Sequence, residues 1–577
     1  MVVVSSVLAV AWGLVSYRLC SLHLGSNPKL HAKIEQLRPI NEEISAPRGR
    51  ILDVRGHILA MDMPVRNVCI DPAMIRSSTN GMAAKVVAAL ASALQMEPAM
   101  IWPKLQQTNS YAVIRKYVPV DATEVFTNSR LKGVILEEVS RRNYPRESLA
   151  CHVIGYAAGG GGSSGATGSS GIELHCEKYL RGVPGVRVSE KDGKKNELVT
   201  HRVVEVDPQR GNDVYLTIDQ NLQYIVEKAL DTAMEKNHAK GAWAILERVK
   251  TGEVLAMASR PDFNPNDYAN ADTNNFLNRA IGFCYEPGST FKMATIAAAL
   301  DAGTVRPDTT INCENGVWIY MGKPLRDFHP HGVQPVANVI KYSSNIGAAK
   351  IALTLGSTRL HEYLEAFHIG RRSGIPLAGE EGGLLHDLRR WTALSITRVP
   401  MGHEVMVTSI QVLDVINAIA NDGFLIKPQI IDRIITPQGN AVYARQTEVI
   451  GHPIRPDTAK LMRKLLTRVT EKGGTASHAS FDGYTVAGKT GTAQKLVDGH
   501  YSDTLNIASF VGIVPAEKPE LALIVVVDEP GISGEHTGGV VCVPVFREVM
   551  EQAVRYLDVP AVPAEMAWRF GDEIPNL

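Results

Sequence analysis

The segment that most limits what this chain can become is Tyr285-Glu286-Pro287-Gly288-Ser289-Thr290-Phe291-Lys292, which runs straight into the apolar stretch Met293 to Leu300. Pro287 and Gly288 punctuate, Ala298, Ala299 and Leu300 sustain a helix, and Gly303 ends it. Ser289 and Lys292, three residues apart, then share a face of the helix's first turn. There the unpaired N–H groups and the positive end of the dipole favour an anion on the serine oxygen. A serine hydroxyl attacks only when a neighbouring base takes its proton. A lysine amine can be that base when burial or another cation lowers its pKa, and a helix with so little polar surface is expected to be buried. Ser-x-x-Lys alone is common by chance and specifies nothing.

Two later segments change its meaning. Tyr342-Ser343-Ser344-Asn345 contains Ser-x-Asn, and Gly488-Lys489-Thr490-Gly491-Thr492 contains Lys-Thr-Gly. The three motifs, in this order, resemble the acyl-serine signature shared by penicillin-binding proteins and class A β-lactamases, with Ser-x-Asn in place of Ser-Asp-Asn.

At 577 residues the chain is long enough for two or three domains, and 45% apolar residues suffice for real cores. Lys plus Arg and Asp plus Glu balance at 60 each, without a basic stripe for nucleic acid or an acidic tail. Seven scattered cysteines, with no Cys-x-x-Cys, describe neither a disulfide framework nor a zinc site. Cys284, near the nucleophile in sequence, reads as a small packed residue. Met1 to Tyr17 is uncharged, and Leu19 to Leu24 extends it past Arg18. About 20 apolar residues span a membrane, so 1–24 is expected to be an uncleaved transmembrane anchor with Arg18 snorkelling to the interface. Lys and Arg follow this segment and none precede it, which by the positive-inside rule places the N-terminus outside.

Beyond the anchor the sequence divides into 25–207, 208–558 and a polar tail, 559–577. Asn27 to Glu43 has a weak helical pattern suited to a stalk. Ile51-Leu52, a turn at Asp53 to Gly56, and Ile58-Leu59 read as strand, turn, strand. Helices are expected near 82–95 and 121–129, and Gly159 to Gly171 reads as an internal flexible loop. The second domain opens near Gly211 with a strand at 214–218 and a helix capped by Asp219. A strand pair follows at 243–246 and 253–258, then helices to about Asn421. Strands return at 484–494, 506–514 and 521–527, before a last helix at 543–557. This order predicts an α+β domain whose antiparallel sheet joins its first strands to its last and is sandwiched by helices.

Taken together, these residues resemble a class B penicillin-binding protein over nearly the whole chain. Besides the three motifs and Gly512, Arg48-Gly49-Arg50-Ile51-Leu52-Asp53, Arg141 to Pro145, and Gly171-Ile172-Glu173 with Gly182 and Gly185 are similar to the three motifs of that family's N-terminal pedestal. Val54-Arg55-Gly56 departs where Arg-Asn-Gly is usual, and Cys176 stands where a polar residue is usual. The resemblance implies a mainly β, elongated pedestal (25–207) and a transpeptidase domain of penicillin-binding/β-lactamase-like fold (208–558). It also implies an extracytoplasmic enzyme anchored once in the cytoplasmic membrane, against the charge rule. Tyr285 to Ser289 and Tyr342 to Gly347 look most like FtsI-type septal division transpeptidases, with the elongation-specific enzymes as the alternative.

The implied reaction is D,D-transpeptidation of peptidoglycan stem peptides. Ser289 attacks, Lys292 accepts its proton, Ser343 relays a proton to the leaving group, and Asn345 holds Lys292 and substrate. The backbone N–H groups of Ser289 and Thr492 cradle the oxyanion. Lys489, Thr490, Gly491 and Thr492 bind the terminal carboxylate. β-Lactam antibiotics are implied inhibitors and a SEDS-type glycosyltransferase such as FtsW an implied partner; no cofactor or metal is called for. Asp327-Phe328-His329-Pro330-His331-Gly332 has metal-ligand residue types but reads as a structured loop, and Glu535 to Gly539 as a structural loop near the cleft. A β-lactam-sensing or hydrolysing protein is a competing reading, opposed by the pedestal and by the lack of a placed deacylating Glu. A structural divisome component with a degenerate site is another, opposed by the intact motifs.

Overall fold

The computed structural model describes residues 2–24, 39–78, 81–108, 111–129, 131–159, 165–191, 197–198, 204–497, 499–531, 536–563 and 568. Helix α1 (Val2–Leu24) is mostly apolar with no polar face, and its apolar span is not buried against any described residue. Its 22-residue apolar span, Val2–His23, is about 33 Å long at 1.5 Å per residue, enough to cross a bilayer's hydrocarbon core.

The pedestal is built from β1 (Pro39–Ile44), β2 (Ile51–Leu52) and β3 (Ile58–Ile70), helices α2 (Met82–Leu94) and α3 (Pro98–Leu105), β4 (Ala112–Pro119), α4 (Val120–Ser129), β5 (Val134–Asn143), the short helix α5 (Gly171–His175) and β6 (Gly185–Lys191). Strand β1 corrects the stalk expectation at its C-terminal end: residues 39–44 pair antiparallel with β6, because an available backbone partner overrides a weak helical pattern. The rest of that stalk, 27–38, lies outside the described residues. The expected internal loop, Gly159 to Gly171, is narrower than read: 157–159 pair with 166–168 and helix α5 begins at Gly171, while 160–164 are outside the described residues.

The three pedestal motifs converge on one carboxylate. Arg48 of the first motif donates to Glu173 Oε2 (2.7 Å), and Arg142 of the second donates from Nε to Glu173 Oε1 (2.6 Å) and from Nη1 to Asp62 (3.1 Å). Arg48, Arg142 and Glu173 are all buried. Burial pushes the Glu173 carboxyl up, but Arg142 and Arg48 outweigh it and hold the carboxyl below its ordinary value. A small separate core, including Val68, Ile75, Leu90, Ile101 and Phe126, lies beyond this knot.

Strand β7 (Asp213–Leu216) pairs parallel with β2 and antiparallel with a later strand, so one sheet runs between the two regions of the chain. Arg50 reinforces the join by an ion pair to Asp213 (2.6 Å). Arg55, one of the departures from the family pattern, finds a use here. It donates to Asp219 (2.8 Å), the N-cap of helix α6 (Gln220–Asn237), and lies over the Tyr556 ring at 4.8 Å.

The catalytic domain continues with β8 (Gly241–Arg248), β9 (Glu253–Arg260), α7 (Lys292–Asp301), β10 (Val317–Tyr320), β11 (Lys323–Arg326), α8 (Asn345–Leu355), α9 (Ser409–Ala420), β12 (Ile431–Ile435, the later partner of β7), α10 (Pro456–Thr470), β13 (Ala487–Val497), β14 (His500–Val514), β15 (Leu521–Asp528) and α11 (Gly538–Tyr556). Its sheet has the order β9-β8-β15-β14-β13, all antiparallel, so first strands meet last ones as the sequence predicts. Every residue of β15 is buried because helices cover both faces: α6 and α11 on one, and α9, itself wholly buried, on the other. Strand β13 is the sheet's edge, and beside it lies the functional cleft. Only Val559 to Pro563 and Trp568 of the expected tail are described.

Candidate active site

Gly288 turns the chain through a positive φ of 55°, and a Cβ there would come within 2.9 Å of the Thr492 carbonyl oxygen. This tight entry makes Gly288–Phe291 a 3₁₀ turn, and α7 begins only at Lys292. Ser289 therefore sits one turn ahead of the α-helix rather than inside it. Lys292 through Leu300 are all buried, so the Lys292 amine has no bulk water around it. Burial pushes it from the usual 10.5 down to about 7, with Asp327 pulling weakly the other way.

Its partners settle where the lone pair points. Lys292 Nζ donates to the Ser343 carbonyl oxygen (2.6 Å) and to Asn345 Oδ1 (2.7 Å), both pure acceptors. The Asn345 amide is oriented by its own Nδ2, which donates to the Arg326 carbonyl oxygen at 2.8 Å. With two N–H groups committed, a neutral amine has its lone pair left for a hydroxyl. Ser289 Oγ lies 3.1 Å away and Ser343 Oγ 3.2 Å.

Ser343 can offer its carbonyl because it adopts the left-handed region, φ 59°, a conformation that serine holds only where its surroundings compel it. Ser344 and Asp327 supply the compulsion. Ser344 is the N-cap of α8: its Oγ accepts from Gly347 N (2.9 Å) and donates to Asp327 Oδ2 (2.6 Å). Asp327 Oδ1 accepts from the N–H groups of Asn345 (2.6 Å) and Ile346 (2.9 Å). The middle residue of Ser-x-Asn thus faces the cap while its neighbours face the cleft.

Lys489 enters from β13 and donates to Ser343 Oγ (2.9 Å) and to the Thr490 carbonyl oxygen (3.0 Å). One hydroxyl so bridges two buried amines. Burial, then repulsion from Lys292, holds Lys489 well below its usual value, and among the described residues neither amine has a carboxylate within 4 Å. Lys489 does not form the cleft wall; it lies behind Thr490, which does. Gly491 is required beneath it: a Cβ would come within 2.4 Å of Ser509 Oγ. The Thr492 hydroxyl accepts from Gly538 N, the first residue of α11 (3.3 Å).

The resulting cleft encloses about 660 Å³, lined by Ser289, Ser343, Asn345, Thr490 and Thr492 among others. The structure brings Ser289, Lys292, Ser343, Asn345 and Lys489 into one hydrogen-bonded group. Sequence reasoning missed Arg326, Phe328, His329 and His403 on its walls. The loop 327–332 was visible in sequence only as a set of ligand types. Its Asp327 is a helix cap and its His331 ring stacks on Tyr342, 4.8 Å between centroids. No sequence signal marks His403, which burial, with Arg398 and Lys292 adding repulsion, pushes down to about 4 and keeps neutral. From the late loop, Thr537 and Gly539 reach the cleft, whereas Glu535 is outside the described residues.

Comparison with known proteins adds an independent line. The profile of the penicillin binding protein transpeptidase domain matches residues 242–551, and that of the penicillin-binding protein dimerisation domain matches 43–216. A probable peptidoglycan D,D-transpeptidase PenA of Neisseria meningitidis is 30% identical over 531 residues, covering 91% of this chain and 87% of its own. Peptidoglycan D,D-transpeptidase FtsI of Escherichia coli is 30% identical over 538 residues, 92% of this chain and 88% of its own. Among solved structures, a peptidoglycan synthetase from Bifidobacterium adolescentis superposes with a TM-score of 0.73 at 25% identity, covering 93% of this chain and all of its own. Penicillin binding protein 2X from Streptococcus thermophilus shares the fold, with a TM-score of 0.77 at 24% identity over 89% of this chain and 80% of its own. A pedestal knotted at Glu173, an acyl-serine constellation on a sheet edge and these two matched profiles place the chain in the class B penicillin-binding protein transpeptidase family.

Proposed function

We propose that this protein cross-links peptidoglycan stem peptides through an acyl-enzyme on Ser289, in septal wall synthesis during division, from a single-pass anchor that leaves the catalytic domain outside the cytoplasmic membrane. The observation that carries the chemistry is the buried Lys292 amine, lowered to about 7, with two acceptors for its N–H groups and, in its neutral form, a lone pair left for the serine hydroxyl.

Lys292 Nζ takes the Ser289 proton as Oγ attacks the carbonyl of the penultimate D-alanine. The tetrahedral oxyanion sits between the N–H groups of Ser289 and Thr492, each such donor being worth roughly 3 kcal/mol. The proton then passes from Lys292 through Ser343 Oγ to the departing D-alanine nitrogen, and the C–N bond breaks. That relay is supported by the position of Ser343 Oγ, 3.2 Å from Lys292 Nζ. An amine of a second stem peptide attacks the ester, Lys292 takes its proton, and the C–O bond to Ser289 breaks as that proton passes to Oγ and frees the hydroxyl. The terminal carboxylate is held by the Thr490 and Thr492 hydroxyls at the wall, with the Lys489 charge behind them. A β-lactam bearing a carboxylate enters the same way and stays on Ser289.

The division role rests on the likeness of the Tyr285 to Ser289 and Tyr342 to Gly347 segments to septal enzymes, and implies a SEDS-type polymerase such as FtsW as partner. Ser289→Ala is expected to abolish covalent labelling by a fluorescent penicillin; retained labelling would refute the nucleophile. A fluorescent fusion is expected at midcell, and a side-wall distribution would replace division by elongation.

A further inference from the structure

The cleft wall carries one cation that no carboxylate of the site answers. Its sole lining carboxylate, among the described residues, is Asp327, and both of its oxygens are occupied by the Ser344 hydroxyl and the first N–H groups of α8. Facing it on the wall is Arg326, the cleft's one lining Lys or Arg among the described residues, while Lys292 and Lys489 lie buried behind with their charge suppressed.

Arg326 is the conspicuous member. It ends β11, and strand alternation sends the preceding Leu325 into a small core with Ile346 and Met401, leaving Arg326 exposed on the cleft side. Its backbone carbonyl accepts from Asn345 Nδ2, so its position is tied to the site. Its guanidinium has no hydrogen bond or ion pair with any described residue. Arg398, bonded to the Pro324 carbonyl oxygen at 3.3 Å, likewise has no carboxylate within 4 Å. An arginine left without a protein partner on the wall of a substrate cleft is suited to a planar anion, which it grips with two parallel N–H bonds.

The direction of the substrate says which anion. If Thr490 and Thr492 hold the terminal carboxylate and Ser289 the scissile carbonyl, Asn345 lies on the far side of the reacting carbon. Its amide has a second N–H free for the peptide that precedes the scissile bond. Arg326 lies one hydrogen bond beyond Asn345, where the diamino acid of the donor stem peptide would pass.

We propose that Arg326 is a specificity-determining residue that pairs with a free carboxylate on the donor's diamino acid, so that the substrate class is a stem peptide built on a diamino dicarboxylic acid. This rests on the transpeptidase reading of the same cleft. Diaminopimelate and lysine differ only by that carboxylate, which makes the test a comparison of two donors. With the full chain in detergent, D-alanine release from a pentapeptide containing diaminopimelate is expected to show a kcat/KM roughly 10- to 100-fold above that of its lysine counterpart, mostly through KM. Arg326→Ala is expected to remove that preference by slowing only the diaminopimelate donor, and Arg326→Lys to restore part of it. Both variants are expected to remain labelled by fluorescent penicillin, which shows that Ser289 is still acylated, while the ratio of the two donors' rates reads the role of Arg326. Equal use of both donors by the parent, or equal losses on both in Arg326→Ala, would overturn the proposal while labelling remains intact. Absence of labelling in the parent would instead overturn the acyl-serine reading.

Discussion

The pH dependence of acylation tests the central geometry directly. A lysine at its usual 10.5 would be neutral in about one molecule in 3,000 at pH 7, whereas Lys292, lowered to about 7, is neutral in about half. The sign follows from the role: only the neutral amine can take the Ser289 proton, so the rate rises with pH through the folded-state value and levels above it. Between pH 6 and pH 8 the neutral fraction grows about tenfold, from about 9% to about 91%, for an amine titrating near 7. The second-order rate of acylation by a chromogenic cephalosporin or fluorescent penicillin, followed by stopped flow from pH 5 to pH 9, should therefore climb with unit slope below pH 7 and flatten above. Penicillin carboxylates are ionised throughout, so the inflection belongs to the protein. A profile flat between pH 6 and pH 8, or one still climbing beyond pH 9, would refute Lys292 as a buried neutral base.

Two substitutions probe the supports of that group. Asp327→Asn removes the charge that pulls Lys292 upward and weakens the cap that fixes Ser343 and Asn345. Its inflection is expected to move below that of the parent, with a plateau rate lower by roughly fivefold, a cap being worth about 1 kcal/mol; an unmoved inflection would show that Asp327 does not act on the amine. Glu173→Gln leaves Arg48 and Arg142 buried without their counter-charge and is expected to destabilise the pedestal by roughly 3–5 kcal/mol. Thermal denaturation should show this, with acylation per folded molecule unchanged, and an unshifted transition would contradict the knot.

How much of this was legible in sequence depends on whether local or distant residues set each feature. The nucleophile, its lysine and the two later motifs were legible because their spacing survives in the chain itself. The sheet's joining of first and last strands was legible because the order of apolar runs admits few topologies. Helices α3 and α10 fall outside the sequence expectations: α3 is short with a proline inside, and α10 presents only one apolar face in a charged background. Strand β1 was hidden because its pairing partner, β6, lies more than a hundred residues away. The 3₁₀ entry at Ser289 depends on Gly288 packing against Thr492, and the cap at Asp327 on a contact with Ser344; neither leaves a local pattern. The sequence also suggested Lys489 as the carboxylate's direct ligand, whereas burial sets it behind Thr490, a placement that only the β13 edge determines.

That placement has a consequence for the proposed mechanism. Two amines joined through one hydroxyl, with no carboxylate within 4 Å of either among the described residues, cannot both be protonated at low cost, so charge on either suppresses charge on the other. A substrate carboxylate arriving at Thr490 and Thr492 supplies the missing opposite charge nearest to Lys489 and favours its protonated form. The ammonium so created disfavours a proton on Lys292, across the shared Ser343 hydroxyl, at the moment when Lys292 must accept one from Ser289. Binding a carboxylate and sharpening the base are then one electrostatic event, and a neutral ligand that fills the cleft without an anion leaves Ser289 less reactive than its geometry alone would suggest. The same reasoning explains why the group is assembled from elements that the fold holds rigidly, namely the buried helix α7, the capped start of α8 and the sheet edge β13. Their packing must offset the burial of two amines and a serine held in the left-handed region, none of which a chain would adopt for stability's sake.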